Sequence, residues 1–323
     1  LNTQLRRGVA LIALTGLALG ATACANRGGG ESSAAEFPSK TITLYTPTTA
    51  GGATDLAART IGAEMETELG VSVVVDNRPG GAGSVGMEHV AGTKADGYSI
   101  AVLPVEVSML GEQGYNIDHE NYDFLGRLNS QPGTLAVPAD SKFKTLDDLV
   151  AAAKEAPGSV TISNAGAGSI WEIGATAVGD AAGVKFQSVP FDGGAPAVTA
   201  AMGGQVDAVF AGIGETAPAH DQGQLRVLAV FTEEEAPALE GVPTAISQGY
   251  DVVIGSWATV AAPAGLDDAV RDTLEAAVAT AAESDKFVTF TTDSGNIPLY
   301  QDAESTTAFA ASENKRFAEI LAK

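Results

Sequence analysis

Apolar and polar residues alternate through residues 41–45, and apolar residues then recur at Leu56, Ala57, Ile61, Met65 and Leu69. The chain therefore enters as a strand and turns into a helix over 55–69. A valine-rich run at 71–75 predicts a buried strand, 84–91 a short helix and 98–103 a third strand. Strands follow at 134–137, 160–163, 186–189, 206–210, 225–231 and 256–262. Between them the periodicity switches to helical at 146–153, 170–182, 195–202 and 267–282, and a last helix occupies 306–321. Thr145 is the expected cap of the helix at 146, with Asp147 and Asp148 suited to the positive end of its dipole. Two successive strand–helix–strand units predict an α/β fold with parallel strands covered by helices.

Two strand-to-helix junctions are rich in glycine. The first reads Pro47-Thr48-Thr49-Ala50-Gly51-Gly52-Ala53-Thr54-Asp55, and the second Asn77-Arg78-Pro79-Gly80-Gly81-Ala82-Gly83. A third loop, Asn164-Ala165-Gly166-Ala167-Gly168-Ser169, opens the helix at 170. Such junctions leave the first backbone N–H groups of a helix pointing outward, and with the dipole these form a site for an anion. The expected occupant is an anionic solute, since neither of the first two loops sets a nucleophile beside a general base. Ser84 misses the nucleophile-elbow pattern because Ala82 stands where glycine is needed.

The first residues read as an address. Arg6 and Arg7 precede an apolar stretch of 13 residues, 8–20, and small residues then lead to Cys24. That core is shorter than the roughly 20 residues of a membrane span. Residues 1–23 are expected to be a lipoprotein-type signal cleaved before a lipidated Cys24, although Ala21 replaces the usual Leu; an ordinary signal with an incidental cysteine is the alternative. Residues 24–38 are small and polar, as expected of a flexible tether. Cys24 is the only cysteine, so no intrachain disulfide can form. The net charge of −22, or −24 without Arg6 and Arg7, argues against nucleic acid and against lying flat on anionic lipid. It weighs less against a local anion site built from backbone dipoles, because salt screens distant charge beyond about 10 Å.

From Lys40 to the C-terminus the chain resembles the extracytoplasmic solute receptors of tripartite tricarboxylate transporters, the Bug receptors. The landmarks run in order through Gly51-Gly52-Ala53-Thr54-Asp55, Asp76-Asn77-Arg78-Pro79-Gly80, Asp96-Gly97-Tyr98 and the loop from Ser163 to Ser169. Val189-Pro190-Phe191 with Gly193, Ala195-Pro196-Ala197 and Gly203-Gly204-Gln205-Val206-Asp207 continue the series. Gly223-Gln224-Leu225-Arg226-Val227-Leu228-Ala229-Val230 and Val242-Pro243-Thr244 complete it. The resemblance implies a two-lobed periplasmic-binding-protein fold of Venus flytrap type, joined by two crossover strands. Lobe 1 would comprise 39–137 plus 257–323, and lobe 2 138–256. It also implies a carboxylate gripped by facing loops. Thr48, Thr49, Ala50, Gly51 and Gly52 are expected on one side, and Ser163, Gly166, Ala167, Gly168 and Ser169, with Gly193 and Gly212, on the other.

Three places depart from the family's habit: Phe210 leads into Ala211-Gly212, Trp171-Glu172 follows the Gly-Ser loop where a His is common, and Pro104-Val105-Glu106 follows the third strand. Glu106 and Trp171 are therefore candidate specificity residues, the acid for a solute amine and the ring for stacking. Each has a plainer alternative, a solvated acid and a core anchor. Thr48, Thr49, Gly51 and Gly52 could likewise serve only to turn the chain, and Arg78 only to brace its loop. Replacing Gly52 or Gly168 by Val is expected to cost binding more than folding.

Gly81-Ala82-Gly83-Ser84-Val85-Gly86 spells a dinucleotide fingerprint, with Glu106 twenty residues on. An exported protein meets little nicotinamide cofactor, and Pro79 begins the turn differently. His89, His119 and His220 lie far apart, without metal-ligand spacing, and no metal or cofactor is expected. The expected function is a non-enzymatic, monomeric, lipid-anchored receptor passing a small carboxylate to membrane transporter subunits. A lipoprotein sensing the same solute for a signalling partner, or a cell-surface hydrolase, would be the rivals.

Overall fold

The structure, a computed structural model, describes residues 37–322. The signal and lipid-anchor readings, and almost all of the tether, lie outside these residues. Three parallel strands and two helices come first: β1 Ile42–Thr46, α1 Ala53–Leu69, β2 Val73–Asn77, α2 Ser84–Ala91 and β3 Ser99–Pro104. Then come β4 Tyr122–Pro138, α3 Leu146–Glu155, β5 Thr161–Asn164, α4 Ile170–Ala182, β6 Gln187–Pro190, α5 Gly194–Met202 and β7 Ala208–Gly212. The remainder is α6 Ile213–Asp221, β8 Leu225–Val230, β9 Gly255–Pro263, α7 Asp268–Ala282, α8 Asp285–Asp293, β10 Ile297–Gln301 and α9 Ala303–Leu321.

The strands follow the order β2-β1-β3-β9-β4-β7-β5-β6, with β8 and β10 also paired to β4. β1, β2 and β3 run parallel on one side, and β5, β6 and β7 run parallel on the other. β4 joins them. Its residues from Tyr122 to Pro132 pair antiparallel with β9, and those from Gly133 to Pro138 pair with β7 and β8. In such sheets ligands bind beyond the carboxyl ends of the parallel strands, where helices begin. β1 leads into α1, β5 into α4 and β7 into α6, so three helix N-termini fall at those ends.

Local sequence explains these starts and stops. Thr145 accepts a bond from the Asp148 N–H, and the Asp148 carboxylate returns to the Thr145 N–H, a complete capping box opening α3. α1 ends at Gly70 with φ +68°, a left-handed conformation that glycine adopts without strain. Ile61 and Met65 of α1 pack with Ile42, Leu44 and Val73 in one core cluster. A separate cluster around Ala197, Val209, Ile213 and Val230 holds α5, α6, β7 and β8 together. Burying a large apolar side chain in either contributes about 1.5–3 kcal/mol.

The parallel-strand reading holds, and three elements are additional. Only the end of β4 was expected; Arg127, Asn129 and Gln131, whose polar side chains interrupt the apolar pattern, are buried inside the strand. The Arg127 guanidinium lies 4.0 Å from the centre of the Phe309 ring, and its Nη1 donates to Gln301. Pro218 obscured α6, a nine-residue helix held by the burial of Ile213 and Ala217. The short α8 and β10 also went unread. Among the described residues no helix is long and apolar enough to cross a membrane.

Candidate functional site

The first glycine-rich junction is braced from within by Asp55, the third residue of α1. Its carboxylate accepts the Gly51 N–H at 2.8 Å, Asn77 Nδ2 at 2.8 Å and Arg59 Nε at 3.0 Å. Burial pushes this carboxyl up, but bonds from Arg59, Gly51 and Asn77 outweigh it and hold it below the usual range. Asn77 also donates to the Thr48 carbonyl, fixing the loop's other end. The Gly-Ser loop repeats the device. Glu172, third in α4, accepts the Gly168 N–H at 2.7 Å, while the Ser169 hydroxyl caps the helix by accepting the Glu172 N–H.

Both loops reach one cavity of about 50 Å³. That is several times the roughly 10–15 Å³ an ordered water needs. Among the expected residues, Thr48, Gly52, Ser169, Gly193, Glu106 and Trp171 line it. Gln131 and Ser256, opposite each other on β4 and β9 and both buried, also line it. Thr49, Ala50, Gly51, Ser163, Gly166, Ala167, Gly168 and Gly212 do not. Thr49 has a buried hydroxyl without a hydrogen-bond partner among the described residues, beside Gly193, where an added Cβ would lie 2.6 Å from Thr49 Oγ1. Ser163 is buried, its hydroxyl donating to the Ala197 carbonyl. Gly166 and Ala167 line a neighbouring depression that shares Ala82 and Asp192 with the cavity.

Gly212 caps α6, and a Cβ there would come within 3.1 Å of the Trp171 ring. Trp171 itself is 6% exposed and tilts against Phe210, so it is both a core anchor and a cavity wall. Gly168 has φ +82°, and a Cβ there would lie 2.6 Å from Gln113 Oε1. Substitution at Gly168 therefore strains the fold itself, a correction to the expectation that Gly52 and Gly168 behave alike.

Glu106 is not a solvated acid. It is 5% exposed, and its Oε1 accepts the Ile170 N–H, the first of α4, at 3.0 Å. Burial pushes its carboxyl up to about 7, against the lowering effect of that bond. Its counterpart, Glu215, escaped the sequence reading. This acid, third in α6, reaches the first N–H of α1, on Ala53, at 3.3 Å. Burial pushes its carboxyl up to about 7 as well, opposed by the Ala53 and Gly212 backbone bonds. The two bonds are reciprocal: Glu106 follows β3 and caps α4, while Glu215 follows β7 and caps α1. Asp55, Glu172 and Glu215 each stand third in a helix after a strand, a repeated signal that could have drawn attention to Glu215. Arg78 bonds Asp76 and does not line the cavity, so it braces its loop.

A mixed α/β sheet of periplasmic-binding-protein architecture, with its helix N-termini converging on one small cavity, defines a solute-binding protein. Residues 57–323 match the tripartite tricarboxylate transporter family receptor, and the chain belongs to that family of extracytoplasmic, non-catalytic solute-binding proteins. BugT of Bordetella pertussis is 28% identical over 296 residues, 90% of either chain. MatC from Rhodopseudomonas palustris with bound malate has a TM-score of 0.84 at 25% identity, covering 88% of this chain and 99% of that one. R. palustris Rpa4515 with adipate has a TM-score of 0.84 at 26% identity, covering 88% and 97%.

Proposed function

We propose that this receptor captures a small carboxylate-bearing solute in the cavity between the 48–52 loop and the start of α4, and delivers it to tripartite-type membrane subunits. The observation that carries the reading is the convergence on one cavity of Thr48 and Gly52 from one junction with Ser169 and Gly193 from others. Relatives with malate and with adipate in their structures share the fold over nearly their whole length. The solute carboxylate would meet the hydroxyls of Thr48 and Ser169 and close-approaching backbone at Gly52 and Gly193. Residues 39–137 with 257–323 would form one lobe and 138–256 the other. The exchange of partners along β4 supports that division, because few other strands tie the two parallel groups together. The chain would act as a monomer held to the membrane by lipid on Cys24.

A thermal-shift screen of carboxylic acids tests the binding reading, since a ligand at 100 times its dissociation constant adds about 2.7 kcal/mol of stability. If no acid in a broad panel stabilises the protein, the cavity is not a carboxylate site. Cys24→Ser should free the protein from membranes with its affinity intact, and continued membrane attachment would remove the lipid from this account.

A further inference from the structure

The charge lining the cavity does not suit a solute whose only charged groups are carboxylates. Among the described residues three lining residues are acids, Glu106, Asp192 and Glu215, and none is Lys, Arg or His. Arg59 and Arg78, in the nearby loops and helix, are paired with Asp55 and Asp76. Some of the N–H groups at the positive ends of α1 and α4 are already occupied from within. Asp55 and Glu215 take N–H groups at the start of α1, and Glu172 and Glu106 take those at the start of α4. A dicarboxylate would compete with these four groups and add like charge to a small cavity.

The geometry reserves places for two of the acids. Glu106 is more than nine-tenths buried and lines the cavity, its carboxylate held by the Ile170 N–H and by its own backbone N–H. The Glu215 carboxylate fills the space that a Cβ on Gly194 would occupy, and its Oε1 lies 3.4 Å from the Cβ position of Gly52. Glycine at 194 has no positive φ to explain it, so its role is to leave that space. Buried acids held this way are neutralised by a proton or by a cation, and the described lining residues supply no cation.

We propose that the solute carries a protonated amine beside its carboxylate, and that Glu106 and Glu215 are the specificity-determining residues that receive it. This deepens the receptor reading above and rests on it. The solute's carboxylate meets Thr48 and Ser169, and its ammonium neutralises the two glutamates, which reach the same two helix starts. Selection then comes from attraction to the amine and from repulsion of a second carboxylate in its place.

Calorimetry at neutral pH with matched probes tests this: aspartate against succinate, and 4-aminobutyrate against butyrate. The amine-bearing member of at least one pair should bind about tenfold tighter or more, as expected where a buried group is left unpaired by the analogue. Glu106→Gln and Glu215→Gln keep an oxygen for the backbone N–H and lose the charge. Each should remove about tenfold of the preference by weakening the amine-bearing probe while sparing or improving the amine-free one. Equal or tighter binding of succinate and butyrate by the parent protein overturns the inference and leaves the receptor reading standing, with no variant needed. So does a preference that survives both substitutions. Failure of every acid to bind, with or without an amine, overturns both readings.

Discussion

Glu106→Gln should change how stability depends on pH by an amount the structure sets. An unfolded glutamate titrates near 4.5, and burial behind β3 pushes the folded Glu106 carboxyl up to about 7. Between these values the folded protein holds a proton that the unfolded chain releases. The associated stability is therefore fully present below 4.5 and is lost as pH rises through about 7. The full difference is on the order of 3 kcal/mol, of which roughly 2.5 falls between pH 5 and pH 8. Glutamine has no proton to lose, and its carbonyl oxygen can still accept the Ile170 N–H. Relative to the parent, the variant should gain roughly 2.5 kcal/mol between pH 5 and pH 8. Urea unfolding of both proteins, without ligand, at several pH values measures this directly. The other acids behind the net charge of −22 are common to both chains and cancel in the difference. A stability gap that stays constant from pH 5 to pH 8 would falsify the buried, proton-holding state of Glu106.

Three further substitutions probe the site and its scaffold. Gly52 has φ −76°, and a Cβ there meets Glu215 Oε1 and the Thr49 carbonyl only at van der Waals distance, so Gly52→Val should cost about 1 kcal/mol of stability through the cap. Its branches enter the cavity, however, and calorimetry should find affinity reduced tenfold or more, on the order of 1.4 kcal/mol; unchanged affinity would show that the solute binds elsewhere. The protein has two tryptophans, and only Trp171 lines the cavity, while Trp257 is bonded to Glu313. Ligand-induced emission changes should therefore vanish in Trp171→Phe, and their survival would place the solute away from that ring. Thr145→Ala breaks the capping box of α3 and should cost about 1 kcal/mol in urea unfolding with affinity untouched. A loss of affinity there would tie α3 to the site, contrary to the lining.

The strands and helices with clean periodicity were legible because burial and period agree: α4 begins and ends at the expected residues, and Thr145 caps α3 as expected. The first half of β4 was not legible, since a strand buried on both faces reads from sequence as apolar. Arg127, Asn129 and Gln131 bond one another along the strand and reach Gln301 and Ala258, distant partners that only the folded sheet supplies. The loops that meet at the cavity were legible from glycine and hydroxyl content. What was not legible is who occupies their N–H groups. The resemblance implied Gly51 and Gly168 as contacts of a solute, whereas Asp55 and Glu172, four residues on in each case, accept their N–H groups themselves. The same rule that favours acids in a first helical turn therefore hides the anion site it was used to find.

The reciprocal glutamates give closure a condition. Glu106 and Glu215 each start from one parallel strand group and reach a helix of the other, so on the two-lobe reading both bonds form only when the lobes meet. Meeting also removes both carboxyls from water, and one backbone N–H from the opposite helix does not repay the desolvation of an ionised acid; the rise of both carboxyls to about 7 is that penalty expressed as proton affinity. An empty cleft therefore closes against a cost. A solute that brings a cation to the two glutamates removes it, while one that brings only carboxylates raises it. Because a ligand shifts an equilibrium only by its differential affinity for the two states, the acids make the closed form depend on which solute is bound as well as on whether one is. Discrimination would then operate twice with the same residues, once in binding and again in the conformation offered to the membrane subunits.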